Sequence, residues 1–247
     1  MAGDAMSVIG SDMPGHERDD ALDSFTDKWR ARWPEWAVAQ VFVPTTQRPT
    51  ALAWASLLLE LTDAAWGGSD ARPGEAKLAW WGEELQGWAL GRRRHPLGTN
   101  LQRQPAPWAQ LASALPSLRD SRERPRDRED AVAALQPFAR AVAATEAVLF
   151  EGPFDAAIPA ITASLLHARL AHMGEPAVPL GLLAVAGERG PLSAWGRELF
   201  AQWPVTAGTR PRRLWSALAR QRLARGDAAL PLPPWATLLT AWRGARS

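Results

Sequence analysis

The residues in this sequence with the clearest chemical potential are closely spaced carboxylates. Asp19, Asp20 and Asp23 have the spacing Asp-Asp-x-x-Asp, and Glu60 and Asp63 lie three residues apart. Acids three or four residues apart project from the same side of a helix, so they can bind a hard cation such as Mg²⁺ through oxygen. The alternative for the first set is capping at a helix start, and for the second pair a surface or capping position.

Other forms of catalysis have less support in the sequence. The chain has no cysteine, which excludes disulfides, thiolate zinc sites and a cysteine nucleophile. His167 and His172 are five residues apart, a poor spacing for two metal ligands on one helix face. No histidine has an acid and a nucleophile arranged around it, and no Walker-type glycine-rich loop occurs. The sequence therefore indicates neither a hydrolytic triad nor a nucleotide-binding loop.

A run of arginines in the C-terminal part is the second candidate for chemistry. No acid occurs between Glu198 and Asp227, and the candidate anion-binding residues in this interval are Arg210, Arg212, Arg213 and Arg220, followed by Arg222 and Arg225. Such a run can bind the phosphate of a lipid headgroup, a prenyl diphosphate or a nucleic acid. The alternative is a helix face paired with acids elsewhere, because the spacing does not place all six on one side. A formal net charge of +2 does not by itself imply a polyanion, so nucleic acid is the least favoured partner.

Helical periodicity dominates the chain and must position these side chains. Apolar residues recur at spacings of three and four over long stretches, as in Leu78, Trp81, Leu85 and Trp88. No alternating strand pattern with hairpin turns is present. The pattern predicts helices over 22–33, 35–42, 50–61, 73–90, 108–118, 130–150, 159–173, 178–187, 192–203, 211–225 and 234–243.

These helices predict an all-α fold with one domain. We expect a flexible N-terminal tail over residues 1–18, followed by a single helical domain over residues 19–247, which is long enough to bury a substantial core. No apolar run reaches the roughly 20 residues of a transmembrane helix. The first twenty residues lack the basic and apolar regions of a secretory signal, so the cytoplasm is the expected compartment.

Two segments of the chain carry a recognisable series of motifs. Val43-Pro44 and Arg48 lead into a predicted helix that ends in TDAAW (62–66), and KLAWWGEEL (77–85) is followed by Gly91 and by HPL (95–97). In this order the residues resemble the squalene/phytoene synthase family over about residues 36–101. The second segment carries the stronger resemblance, because several uncommon residues match in order.

The resemblance implies a helical bundle of the isoprenoid (terpenoid) synthase type, in which two aspartate-rich motifs hold Mg²⁺ and clamp a prenyl diphosphate. Here Thr62 and Trp66 stand where the first motif has acids, so only Asp63 remains. The second motif is missing, since no aspartate occurs between Asp155 and Asp227. We therefore expect no metal or other cofactor, and the candidates for the walls of the cavity are Glu60, Thr62, Asp63, Trp66, Trp80 and Glu84.

Three functions are consistent with these observations. The leading hypothesis is a catalytically degenerate member of the family that binds an isoprenoid or prenyl diphosphate, or acts as an assembly factor, as is assigned to a mitochondrial branch of the family that serves respiratory complex I. The second is an active Mg²⁺-dependent prenyl transferase with ligands from Glu60, Asp63 and Glu146. The third is a helical adaptor that lies peripherally on an anionic membrane, or on a nucleic acid, through its C-terminal arginines.

Overall fold

The computed structural model describes residues 15–185, 190–205 and 207–246, with side chains from residue 21 onward except that of residue 185. Over these residues the chain forms α-helices and short 3-10 segments and no strand, which confirms the predicted all-α class. The first helix begins at Gly15, inside the predicted tail, because no helix breaker follows this glycine before Pro34. The rest of the predicted tail and the side chains of Asp19 and Asp20 lie outside the described residues.

The described residues contain twelve α-helices, and most of their bounds agree with the predicted ones. The predicted helix over 35–42 is shorter and continues as a 3-10 segment, Gln40–Phe42. The helices are α1 (Gly15–Arg32), α2 (Trp36–Ala39), α3 (Arg48–Trp66), α4 (Arg72–Ala89), α5 (Gly98–Leu101), α6 (Trp108–Asp120), α7 (Arg128–Leu149), α8 (Ile158–Met173), α9 (Leu180–Val185), α10 (Gly190–Ala201), α11 (Arg210–Ala224) and α12 (Pro234–Arg246).

Helices α3, α7, α8 and α11 form the centre of the bundle. α3 packs against α1, α4 and α8, while α7 packs against α6 and α8. α11 packs against α8, α10 and α12, and α12 also contacts α2. α7 is long and apolar enough to cross a membrane by length and composition, but it lies between α6 and α8 as a core helix does.

A close approach between α3 and α4 determines the geometry of the central region. α3 has Pro49 in its first turn and ends at Gly67, whose extended backbone leaves the helix. A Cβ atom on Gly74, in the first turn of α4, would overlap the carbonyl oxygen of Ala64. Only glycine allows this contact. Because the two helices approach so closely, Lys77, about one turn after Gly74, reaches Glu60 on α3.

The apolar stripe predicted for α4 is buried, and its members are Leu78, Trp81, Leu85 and Trp88. Trp80 points to a different side, since adjacent residues of a helix project about 100° apart. Its half-buried ring contacts His95 at a centroid distance of 5.8 Å, and the Arg94 guanidinium lies 5.4 Å from the ring centroid. Trp80 therefore packs against the segment that follows α4.

Glu84 joins α4 to that same segment. Its buried carboxylate accepts hydrogen bonds from the Trp88 indole at 2.8 Å and from the backbone N–H groups of Arg94 and His95 at 2.7 and 2.8 Å. The Arg94 side chain adds an ion pair at 3.0 Å. Burial alone would raise the pKa of Glu84, but these hydrogen bonds outweigh it and lower the pKa. Glu84 thus holds the backbone at Arg94 and His95 against the end of α4.

We expect Glu84→Ala to lower the free energy of unfolding by about 3 kcal/mol, because it leaves the buried Trp88 indole N–H and two partly buried backbone N–H groups without an acceptor. Urea unfolding measures the effect. Glu83→Ala is the matched control, since its exposed carboxylate makes only a 3.7 Å contact with Arg94 and its loss should have little effect. Equal losses for the two variants would contradict a structural role for the Glu84 carboxylate.

Candidate functional site

Glu60 is the centre of an ion cluster that joins α1, α3, α4 and α8. This residue is only 3% exposed. The Nζ atoms of Lys28 and Lys77 lie 2.6 Å from its Oε1 and 2.5 Å from its Oε2. Lys28 also lies 2.6 Å from Asp63 Oδ2, and Nε2 of His172 lies 2.6 Å from Asp63 Oδ1. The structure therefore brings the two candidate acids together, in contact with three basic side chains.

Lys28 and Lys77 are the only lysines in the chain, which carries its other positive side chains as arginine. Both contact the same carboxylate. A lysine ammonium is a compact charge, whereas a guanidinium is wide and planar, so two ammonium groups fit around one carboxylate with less crowding. The placement of both lysines in a chain otherwise rich in arginine is a signal in the sequence that points to the ion cluster.

The basic neighbours keep both acids ionised. Burial works to raise the pKa of Asp63, but hydrogen bonds from His172 and Lys28 outweigh it and lower the pKa to about 2. Burial opposes ionisation of Glu60 in the same way, and the bonds from Lys28 and Lys77 lower its pKa. Burial would lower the pKa of Lys28, yet the two carboxylates raise it. The ion cluster is thus a set of charges that satisfy one another.

The ion cluster does not fit a Mg²⁺ site, because such a site needs carboxylate oxygens that are free to bind the metal. All four carboxylate oxygens of Glu60 and Asp63 already contact a lysine or the histidine. The third acid of the prenyl transferase hypothesis, Glu146, accepts hydrogen bonds from Arg212 at 3.0 Å and Trp54 at 2.8 Å. Among the described residues, no group of three or more histidine or acidic side chains has the arrangement of a metal site.

A cavity of about 100 Å³ lies beside the ion cluster, between α1, α3, α8 and α11. Most of its wall is apolar, including Leu58, Leu59 and Leu165. His172 borders both the cavity and the ion cluster. Of the six candidates for the cavity walls, Thr62 lines this cavity, and the others, Glu60, Asp63, Trp66, Trp80 and Glu84, do not.

The remaining candidates have partners that explain their positions outside the cavity. The Trp66 indole donates a hydrogen bond to the Ser121 hydroxyl at 3.1 Å, in a buried contact between α3 and the end of α6. Trp80 and Glu84 contact the segment after α4, as described above. Thr62, the candidate that does line the cavity, donates its hydroxyl hydrogen to the carbonyl oxygen of Leu58 at 2.8 Å, one turn earlier in α3.

Three arginines line the cavity, and two of them are paired with buried acids. Arg212 bonds to Glu146. Arg222 contacts both carboxylate oxygens of Glu35, at 2.8 and 2.6 Å. The third, Arg32, donates to the carbonyl oxygen of Ala171 at 3.3 Å and has no carboxylate partner among the described residues. Because Arg32 is half-buried in the lining, it leaves one uncompensated positive charge on the solvent-accessible side of the cavity.

Two polar side chains of the cavity wall have ring nitrogens without a well-formed hydrogen bond. His167 is 1% exposed, and neither of its ring nitrogens makes a well-formed hydrogen bond; the same holds for the indole nitrogen of Trp215. Burial, together with the charge of Arg222, lowers the pKa of His167 to about 3 and outweighs a backbone hydrogen bond at Ala228 that acts to raise it. His167 is therefore neutral near pH 7. Buried polar groups without well-formed hydrogen bonds carry a free-energy cost.

The predicted anion-binding arginines of α11 point to different sides of that helix. Arg212 faces the cavity, whereas Arg213 donates to the carbonyl oxygens of Gly244 and Ala245, each at 3.3 Å, at the end of α12. Arg210 and Arg220 are exposed, and the Arg220 guanidinium lies 4.8 Å from the centre of the Phe200 ring. The arginine run thus has several separate roles and does not form a single anion-binding surface.

We expect Glu60→Gln and Lys77→Met to be energetically coupled, because either change removes the partner of a charge inside the protein. Each change should lower the free energy of unfolding. The decrease in the double variant should be smaller than the sum of the two single decreases by about 1 kcal/mol or more. Urea unfolding of all four proteins measures the coupling. The exposed pair Asp70 and Arg72, 2.9 Å apart, is the control and should show no measurable coupling. Equal coupling in both pairs would contradict the central place of Glu60.

We also expect the stability of the protein to fall as the solution becomes acidic. The unfolded chain protonates His167 near its ordinary pKa of 6.5, whereas the folded protein does so only near 3, so folding loses free energy as the pH falls through this interval. At about pH 5 this residue should account for a loss of about 2 kcal/mol relative to neutral pH.

The measurement is urea unfolding at neutral pH and at about pH 5 for the wild type and for His167→Phe. The variant should retain a smaller pH dependence, part of it from His95, whose burial lowers its pKa to about 4. An identical pH dependence in the two proteins would show that His167 is not buried in its neutral form.

Comparison with known proteins assigns no family to the chain. No protein-family model matches it, and no curated protein matches it. The cavity and the ion cluster therefore carry the information about function, since function depends on the chemistry of sites more than on the fold that carries them.

Proposed function

We propose that this protein is a non-catalytic, squalene/phytoene synthase-like protein that binds an isoprenoid or a similar apolar ligand in its central cavity. One observation carries the proposal. The carboxylates beside an apolar cavity are neutralised by the protein's own lysines, Lys28 and Lys77, where an active synthase would hold Mg²⁺. The resemblance of residues 77–97 to the family supplies the class of ligand, and the ion cluster argues against turnover.

The chemistry of diphosphate departure explains why the lysines matter. Mg²⁺ bridges carboxylates to phosphate oxygens and neutralises the charge that develops on the leaving diphosphate. An ammonium on a side chain that already contacts Glu60 and Asp63 satisfies the carboxylates but leaves no bridging ion. The alternative of an active prenyl transferase requires metal binding to displace contacts at all four of these oxygens. We therefore favour binding without reaction.

The cavity supports an apolar ligand with one polar group. Its wall includes the rings of Trp29, Trp33 and Trp215 and several aliphatic side chains. The half-buried guanidinium of Arg32 provides donors for an oxygen atom of the ligand. Apolar pockets with few convergent polar groups are typical of small-molecule sites.

The size of the cavity indicates how such a ligand enters. At about 100 Å³ it is smaller than the ~150 Å³ engineered cavity known to bind benzene. A prenyl chain must therefore extend beyond it or widen it. The half-buried lining residues lie on α1, α3 and α8, for example Arg32, Leu58 and Ala168, which places the opening on that side.

The test is a titration of the purified protein with farnesyl diphosphate and with farnesol, each with Mg²⁺ or with a chelator. Tryptophan fluorescence and free diphosphate are followed together. We expect saturable binding that does not require Mg²⁺ and no release of diphosphate. Mg²⁺-dependent release that Asp63→Ala abolishes would establish the prenyl transferase instead, and absence of binding by both compounds would contradict the proposed ligand class.

A matched pair of variants ties the binding to the cavity. Ala168→Phe places a ring at the cavity wall and should weaken binding at least about tenfold by occupying the ligand's volume. Ala134→Phe makes the same change at an exposed position of α7 and should bind like the wild type. Equal binding by both variants would place the ligand elsewhere on the protein.

A further inference from the structure

The outer face of α12 carries large apolar side chains that no part of the described chain covers. Trp235, Leu238, Leu239 and Trp242 are 69%, 50%, 41% and 43% exposed. Their spacing of three, one and three residues places them on a single side of the helix. We call these four residues the α12 face. A contiguous exposed apolar surface of this kind is unusual on a soluble protein and marks an interaction site.

The inward side of α12 explains why the large residues point outward. Its buried positions hold small residues, Ala236, Thr237, Ala241 and Gly244. A Cβ atom on Gly244 would lie 3.0 Å from the Cβ of Ala217 on α11, closer than ordinary packing allows. The helix therefore packs closely on α11 through the side that carries its small residues. This is the reverse of the usual amphipathic pattern, in which the large apolar residues face the core.

The charges around the α12 face are positive. Arg243 and Arg246 are exposed at the end of the helix, and the Arg246 guanidinium lies 4.6 Å from the Trp242 ring centre. α12 contains no acidic residue. The only acid between residues 199 and 246 is Asp227, whose carboxylate accepts bonds from backbone N–H groups in the loop before α12. The face thus combines apolar and cationic groups with no nearby acid of its own helix.

We infer that the α12 face docks the protein on an anionic phospholipid surface. Tryptophan side chains prefer the boundary between headgroups and acyl chains, and flanking arginines are attracted to anionic headgroups. With 13 residues, α12 is shorter than the roughly 20 needed to cross a bilayer, so it lies in the plane of the interface. Charge complementarity favours lipid over a second copy, because α12 has no acidic residue with which the arginines of another copy could pair.

This docking does not depend on the proposed ligand. α11 separates the two sites, since Arg212, Trp215 and Ala219 line the cavity while Arg213 and Ala217 contact Gly244 of α12. A change of the α12 face should leave farnesol binding unaffected. Failure of membrane docking and failure of the proposed function are therefore distinguished by measuring both on the same variants.

The test is co-sedimentation of the full chain with vesicles of phosphatidylcholine, with or without an equal part of phosphatidylglycerol. We expect binding to the anionic vesicles that weakens with added salt. Trp235→Ser/Trp242→Ser should weaken this binding at least about tenfold, by removing most of the apolar area of the face. Arg243→Glu/Arg246→Glu should also weaken it at least about tenfold, by loss of attraction to the headgroups.

Two control variants make equivalent changes elsewhere on the surface. Leu90→Ser/Phe154→Ser removes two other exposed apolar side chains, and Arg103→Glu/Arg140→Glu makes the same change in net charge on other elements. Both should bind like the wild type. Equal binding to neutral and anionic vesicles, or unaltered binding by the tryptophan variant, would overturn the inference. A dimer that the tryptophan variant abolishes would also overturn it and would assign the face to a second copy.

Discussion

The structure depends on the burial of one carboxylate, that of Glu60. A buried carboxylate without partners is costly, and the contacts of two ammonium groups remove that cost only if α1 and α4 both lie close to α3. The close approach permitted by Gly74 meets this requirement for α4. Asp63 extends the same arrangement to α8 through His172. Four helices are thus held around one side of the cavity by a few short polar contacts.

The same physical device recurs around the other side of the cavity. Glu146 on α7 receives Arg212 from α11, and Glu35 before α2 receives Arg222 from α11. Each acid is buried, and each partner comes from a distant part of the sequence. The cavity therefore has a frame of satisfied ion pairs and a centre of apolar side chains. An unpaired buried charge is costly, so an arrangement of the helices that separated either pair would be unfavourable.

The sequence predicted the helices well and the partners of their side chains poorly, for a clear reason. Apolar periodicity identifies a stripe such as that of α4, because the position of a residue in the helical repeat determines on which side of the helix it lies. An ion pair depends on two positions whose distance in space the sequence does not reveal. Arg212 and Arg213 are neighbours, yet one pairs with Glu146 and the other with carbonyl oxygens of α12.

The α12 helix illustrates a second limit. Its bounds were predicted closely, but periodicity alone assigns the side with Trp235 and Trp242 to the core, where the structure places small residues. Which side faces inward was decided by the close fit of Gly244 against Ala217 of α11, a property of the pair of helices. In the same way, the sequence did not show which elements Arg212 and Arg213, neighbours that point to different sides of α11, would contact.

The proposed cavity ligand and the proposed lipid surface are connected by physical chemistry. An isoprenoid has low solubility in water and concentrates in membranes, because its transfer from water into hydrocarbon gains about 0.8 kcal/mol per methylene group. A protein that meets such a ligand at a membrane encounters it at far higher local concentration than in solution, and the weak affinity expected of a cavity of about 100 Å³ is then sufficient. Pairing of Glu60 and Asp63 with Lys28 and Lys77 suits the proposed task, since a ligand that is released intact needs no metal ion to break one of its bonds.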